Sequence, residues 1–566
     1  MFKLFLLLFF IISCDNRNTV NTDQLKPKDI NIIDRDNIIE QLKNNKFDIV
    51  IIGGGATGAG AFLDAAARGL KVALLEQGDF SSETSSKSTK LIHGGVRYLE
   101  NAVKKLDYKE YELVKDALNE RKYFLKNASY LSSKLAIITP VYNWFDAAYY
   151  WIGLKAYDLL SKGSSLGKSE FLSYEQTVSL MPFINKNSLK GSIRYYDGQF
   201  NDSRMNIALV LTGMTYNGLA LNYVSAIDLV KEKEKITSIK VKNNLTKEIF
   251  TIAAKVVINA TGVFADTLRK LDGNSHPIIK ASKGTHIVLP SSVISSTSGL
   301  IIPKTKDKRV IFLLPWENKT LVGTTDDESI IQTNPLSTDK EVEYLLMHIN
   351  QVLNVNVEKK DILATYSGLR PLVNINKQLH TASLSRDHYI ETTKSNLITI
   401  VGGKWTTYRK MSEEVIDEAI KIADFNNIKS PTKNLFLLGS HTDNPSLIKD
   451  LQKIENIDED IAEHLSHTYG DRAYKIIELD NKSKNKRILP QYPFLESEII
   501  YALRYEHATN AQDILARRLR LAFIDYKSAL TALAKVNQLI AQEFMWNEEK
   551  SQNEFSKAQI YLQGFK

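Results

Sequence analysis

Phe47 to Ile52 read FDIVII and run directly into Gly53, Gly55 and Gly58, a G-x-G-x-x-G spacing that opens the alanine-rich stretch Ala59 to Arg68. Gly69 then stops the helical pattern, and KVALLE forms a second apolar run ending at Glu76. This order predicts strand, glycine turn, helix and strand, a βαβ unit. The chemistry of each glycine follows from its place. Gly53 permits the tight turn, Gly55 in the Gly53-Gly54-Gly55 triplet lets a pyrophosphate approach the backbone, and Gly58 allows the helix to pack closely. The helix N-terminus offers free amides to phosphate. Glu76 sits about 20 residues downstream, where a carboxylate accepts hydrogen bonds from ribose hydroxyls. The unit therefore points to a dinucleotide site, and on geometry alone FAD and NAD remain open.

Two later segments favour FAD. VVINATG, with Ala260 and Gly262, and ITIVGGKWTTYRK, with Gly402, Gly403 and Thr406, are chain-distant apolar strands followed by turns. A flavin spans further than a nicotinamide cofactor and needs backbone contacts from such distant loops. Gly402 and Gly403 let the backbone approach an isoalloxazine, and the helix that follows presents its N-terminus to the electron-rich ring edge.

A chain of 566 residues, 43% hydrophobic, is too long for one ordinary domain. Residues 1–46 read as a signal-like segment and an Asn-rich tether, 47–433 as the FAD-dependent oxidoreductase domain, and 434–566 as a C-terminal helical domain. Within the second, an antiparallel-sheet lobe covering the substrate falls mainly at 134–204 and 281–374, where THIVLP, RVIFLLPW, KTLVGTTD and ILATYSGLRP are short β-rich runs. The expected fold class is thus α/β, a Rossmann-type FAD domain interleaved with an antiparallel-sheet lobe, plus a helical domain. The aromatic stretch Tyr142 to Leu160 is expected to pack in a core.

A formal charge of +8, with Lys scattered among Glu and Asp, does not call for nucleic acid. It leaves room for an anionic substrate or membrane surface. Cys14 is the one cysteine, so an intrachain disulfide is excluded and a reducing compartment fits. Met1 to Cys14 resembles a bacterial lipoprotein signal, with Cys14 as the lipid-anchor position; the alternative is an upstream start codon outside the mature protein.

TSSKSTKLIHGGVRYL (Thr84 to Leu99) resembles the flavin and active-site motif of FAD-dependent glycerol-3-phosphate dehydrogenases. YYDGQFNDSRMN, VINATG, IFLLPW, VGTTD, YSGLRPLV, GGKWTTYRK and RRLRLAFID follow in that family's order, and the first of these is similar to the mitochondrial form. The calcium-binding EF-hand loop of the animal enzyme has no counterpart here. The resemblance implies oxidation of sn-glycerol 3-phosphate with FAD as cofactor and a quinone as acceptor. It also implies flavin contacts from Thr84, Ser85, Ser86, Thr89, Lys90 and Leu91.

Alcohol oxidation requires a base for the hydroxyl proton, and an imidazole titrates in the useful range; His93, in IHGG, takes this role by resemblance. The phosphate requires cations, and Arg97, Arg370, Arg386 and Lys404 are the candidates, with Tyr98 as a hydrogen-bond donor. Asp197, Asn201, Asp202 and Arg204 read as a hydrogen-bonded polar loop beside the site, and no metal is expected. The expected location is the cytoplasmic face of the cell membrane, peripherally bound, with a homodimer left open. Two alternatives stand beside this reading: a glycerophosphate oxidase that uses oxygen, and a non-catalytic flavin-binding lipoprotein.

Overall fold

The computed structural model describes residues 30–95, 108–161, 164–293, 296–303, 305, 307, 309–374, 387–426, 428–440, 446–479 and 485–566. Cys14 and the signal-like segment lie outside these residues, as do Arg97, Tyr98 and Arg386. Strand Lys46–Ile52 sits in the middle of an eight-stranded sheet, paired in parallel with Val72–Leu75 on one side and Ile249–Asn259 on the other. Leu397–Gly402 extends that parallel set from the far edge of Ile249–Asn259, so VINATG and the Gly402-Gly403 pair arrive beside the first glycine turn. Parallel strands buried on both faces read as continuous apolar runs, which is why FDIVII and VVIN lack alternation.

Helix Ala56–Ala67 covers the carboxyl end of the first strand and is buried around most of its circumference. Its small residues allow this. A Cβ on Gly58 would lie 1.8 Å from the Gly53 carbonyl, and one on Gly60 would lie 2.4 Å from Ser412 of helix Tyr408–Ala423. The second sheet has ten strands and joins Ser132–Val141, Gly191–Phe200, Ile279–Pro290, Ile311–Trp316 and Lys319–Gly323. It is antiparallel except where Gly299–Ile302 runs parallel to Ser132–Val141.

From Glu459 onward the described elements are helices. They are tied to the dinucleotide-binding part by buried ion pairs: Asp79 accepts from Arg517 Nε at 2.6 Å and from both Arg518 amino groups, and Glu506 receives both arms of Arg204 at 2.7 Å each. Burial alone would raise the Asp79 carboxyl, but Arg518 and Arg517 hold it below its ordinary value. Removing one partner of such a pair would leave a charge stranded in the core.

Three expectations need correction. The tether ends before residue 34, because Arg35–Asn44 is a helix capped by Asp34 and anchored by buried Ile38, Ile39 and Leu42. The stretch YYDGQFNDSR is the end of strand Gly191–Phe200 and the start of helix Asp202–Thr215, with Asn201 as N-cap, and Asp202 and Arg204 are buried in ion pairs. The aromatic helix Trp144–Leu160 turns only part of itself to the core. Ala147, Leu154 and Tyr157 are buried, whereas Trp144 is 63%, Phe145 81%, Ile152 64% and Leu159 72% exposed.

Candidate active site

A cleft of about 1370 Å³ lies between the two sheets. Its floor is the glycine turn. Gly53 has φ 108° and packs so close to Ala260 that a Cβ would sit 2.5 Å from the Ala260 carbonyl. Gly55 is the N-cap of Ala56–Ala67 and supplies no side chain to the helix's first amides; Ala56 N–H donates to Ser85 Oγ at 2.9 Å. The remaining first-turn amides form an anion site of the kind a pyrophosphate needs.

Glu76 lines the same cleft. Its two oxygens accept from Gly54 N–H at 2.7 Å and Gly78 N–H at 2.8 Å, so it also fixes the turn that precedes the helix. Burial pushes its carboxyl up to about 7 against the pull of those amides. Ribose hydroxyls donating to this carboxylate, the role expected of Glu76, would favour its ionised form, so a dinucleotide bound in that way would expel the proton. FAD affinity of the apoprotein is therefore expected to rise roughly tenfold per pH unit below about 7 and to flatten above it, with one proton released per FAD on the acid side and none on the alkaline side. Fluorescence titration of the apoprotein at pH 5.5 to 8 checks this; affinity that falls with rising pH would contradict it.

The opposite wall comes from Leu397–Gly402 and the turn beyond it. Gly402 and Gly403 have φ of 82° and 74°, and a Cβ would strike the Asp387 carbonyl at 2.7 Å or Met411 Sδ at 2.3 Å. Only glycine fits both constraints. Lys404, Trp405 and Thr406 follow on the cleft surface. Trp405 Nε1 donates to the Ser85 carbonyl at 2.9 Å, and His93 N–H donates to Thr406 Oγ1 at 3.2 Å. These bonds hold the segment carrying His93 against the glycine wall.

Of the residues expected at the cofactor, the cleft is lined by Gly53, Gly55, Glu76, Thr84, Ser85, Thr89, Leu91, Ala260, Gly262, Gly402, Gly403 and Thr406. Gly54 and Gly58 lie behind this surface, shaping the turn and the helix packing. Ser86 and Lys90 are corrections. Lys90 is fully buried, paired with Asp202 at 2.6 Å and placed over the Trp316, Tyr366 and Phe523 rings, and desolvation lowers its ammonium to about 7. The Ser86 carbonyl points the same way, to Lys90 Nζ at 2.9 Å. Neither side chain lines the cleft: Ser86 Oγ donates to the Glu83 carbonyl at 3.2 Å, and Lys90 itself has φ 63°.

His93, Arg370 and Lys404 share the cleft. Arg370 stands on strand Ala364–Val373, where Gly284 of the paired strand leaves the guanidinium its space; a Cβ there would lie 2.3 Å from Nη2. Its Nη2 donates to Thr324 Oγ1 at 3.0 Å and the Thr325 carbonyl at 3.1 Å, and Nη1 lies 3.4 Å from Asp326. The sequence reading missed these partners, and it missed His286. That imidazole lines the cleft, stacks on Tyr366 with centroids 4.8 Å apart, and meets Thr89 Oγ1 at 2.9 Å through Nε2. Burial, with Lys90 and Arg370 nearby, holds it well below the usual imidazole value, so it is neutral. Its position depends on the register His286↔Tyr366, a pairing across 80 residues that no local motif announces. Among the described residues no group of acidic, His or Cys side chains is arranged to hold a metal.

Two facing glycine-built walls, an open helix N-terminus and a carboxylate at the end of the second strand define an FAD-dependent oxidoreductase, and residues 48–409 match the family of that description. Residues 430–551 match the family described as the C-terminal domain of alpha-glycerophosphate oxidase. The mitochondrial glycerol-3-phosphate dehydrogenase of Rattus norvegicus is 42% identical over 92% of this chain and 73% of its own length; a probable mitochondrial glycerol-3-phosphate dehydrogenase of Dictyostelium discoideum is 44% identical over 91% and 84%. A glycerol-3-phosphate dehydrogenase structure from Bacillus halodurans, complexed with FAD, superposes with a TM-score of 0.78 at 27% identity, covering 94% of this chain and 97% of that one. The chain belongs to the FAD-dependent glycerol-3-phosphate dehydrogenase family.

Proposed function

We propose that the protein oxidises sn-glycerol 3-phosphate to dihydroxyacetone phosphate and delivers the electrons to a membrane quinone. The observation that carries the reading is the presence in one cleft of a dinucleotide cradle, an imidazole (His93) and two cations (Arg370, Lys404). Bound FAD supplies the hydride acceptor. His93 takes the hydroxyl proton, while Arg370 and Lys404 hold the phosphate, joined in this proposal by Arg97, Arg386 and Tyr98. The bonds from Thr406 to the His93 amide and from Trp405 to the Ser85 carbonyl keep the base and the flavin-facing segment in fixed relation. Reoxidation of the reduced enzyme by a soluble quinone analogue, compared with oxygen, tests the acceptor. Fast turnover with the analogue and slow turnover with oxygen is the expected result; the reverse, with stoichiometric peroxide, makes the protein an oxidase.

The aromatic helix supports the membrane side of this reading. No helix among the described residues is long and apolar enough to cross a bilayer. Trp144, Phe145, Ile152 and Leu159 nevertheless lie exposed on one helix, and Lys155 sits over the Trp151 ring at 5.6 Å. An aromatic face with a lysine beside it suits the headgroup boundary of an anionic bilayer. Each large apolar side chain buried there contributes about 2 kcal/mol. The triple variant Trp144→Ser, Phe145→Ser, Leu159→Ser is therefore expected to bind anionic vesicles at least ~30-fold more weakly in co-sedimentation, while flavin reduction in solution is unchanged. Equal vesicle binding by the variant would remove this helix from the interface.

A further inference from the structure

We propose that Arg520, supplied by the C-terminal helices, is a positioning residue for the reaction in the cleft, acting through the Ser86–His93 segment. The inference rests on the function proposed above. Arg520 follows the π-helical turn Asp513–Arg518 and has φ 65°, a left-handed conformation uncommon for a residue with a Cβ. Its guanidinium is fully buried and lies 3.9 Å from the Phe523 ring centroid. Nη1 donates to the Ala516 carbonyl at 3.1 Å, and Nη2 donates to the Ser86 carbonyl at 2.8 Å and to Asp202 Oδ1 at 3.1 Å.

Those two acceptors organise the back of the segment. The second Asp202 oxygen takes Ser88 N–H at 3.0 Å, Ser88 Oγ at 2.7 Å and Lys90 Nζ at 2.6 Å. Tyr366 OH donates to the Ser88 carbonyl at 3.0 Å from the other side. The front of the same segment presents Lys87, Ser88, Thr89, Leu91 and His93 to the cleft. The bonds to the Ser86 and Ser88 carbonyls, the Ser88 amide and the short Ser88 side chain fix where the segment lies, and Lys90 anchors it to Asp202 through its own side chain. The C-terminal helices thereby determine the seat of the catalytic imidazole although Arg520 itself does not line the cleft.

Arg520→Met, which keeps most of the volume and removes the donors, separates positioning from simple bulk. The FAD-loaded variant is expected to reduce its flavin at least roughly tenfold more slowly at saturating sn-glycerol 3-phosphate with an unchanged KM, since a displacement of about 1 Å at a reacting group costs that much or more. Arg520→Lys keeps the charge but only one arm, and is expected to fall between Arg520→Met and the wild type. If Arg520→Met does not fold, Arg520→Lys decides the matter. Either variant, carrying stoichiometric FAD and bleaching at the wild-type rate, overturns the inference, as does a loss confined to thermal stability. A wild-type flavin that sn-glycerol 3-phosphate does not reduce refutes the proposed reaction instead, independently of both variants.

Discussion

Arg370→Ala is expected to raise the apparent KM for sn-glycerol 3-phosphate strongly and to cost about 2 to 4 kcal/mol in transition-state stabilisation, through the loss of charge-assisted bonds to the phosphate. The structure adds a reason to expect the upper part of that range. Arg370 lies 3.4 Å from Asp326, so its removal also takes away a cation that offsets a carboxylate on the cleft wall. The incoming phosphate then meets more negative potential as well as fewer donors. Oxidation of unphosphorylated glycerol should change little, and steady-state kinetics with both alcohols checks the contrast. A variant whose KM for the phosphorylated substrate stays within twofold of wild type would place the phosphate elsewhere.

His93→Ala is expected to leave substrate affinity largely intact and to slow flavin reduction by roughly 100-fold or more, the usual contribution of a positioned base. Rapid mixing at several pH values gives the test, because loss of the base should also flatten the pH dependence of the reduction step. A wild-type rate across pH would move the role to another group. Neutral His286, on the same cleft and bonded to Thr89, would be the first to substitute in that event.

The parts of this architecture that were readable from the sequence are those whose cause is local. Gly58 answers a constraint set five residues away, the Gly53 carbonyl, and the spacing of Gly53, Gly55 and Gly58 announced both the turn and the helix, although the approach of Ala260 to Gly53 came only with the fold. The flanking strands were equally plain, because a strand buried on both faces must be apolar throughout. The aromatic helix misled for the opposite reason. Its composition shows that a large apolar surface exists, but not whether protein covers it, and Phe145 and Leu159 face outward.

Lys90 was assigned by its neighbours in the chain, yet this left-handed residue has its side chain buried behind the segment, where it pairs with Asp202, the carboxylate that Arg520 also contacts. The Arg35–Asn44 helix was hidden by its Asn-rich surroundings, although Ile38, Ile39 and Leu42 carry the spacing of one buried helical face. His286 and Arg520 needed the fold itself. The first is placed by sheet register and the second by a contact spanning 434 residues of chain.

Anaerobic mixing of the FAD-loaded protein with sn-glycerol 3-phosphate tests the central claim most directly. The account predicts saturable bleaching of the oxidised flavin band with one dihydroxyacetone phosphate formed per flavin, and no comparable bleaching by glycerol. A flavin that stays oxidised at saturating substrate would contradict it.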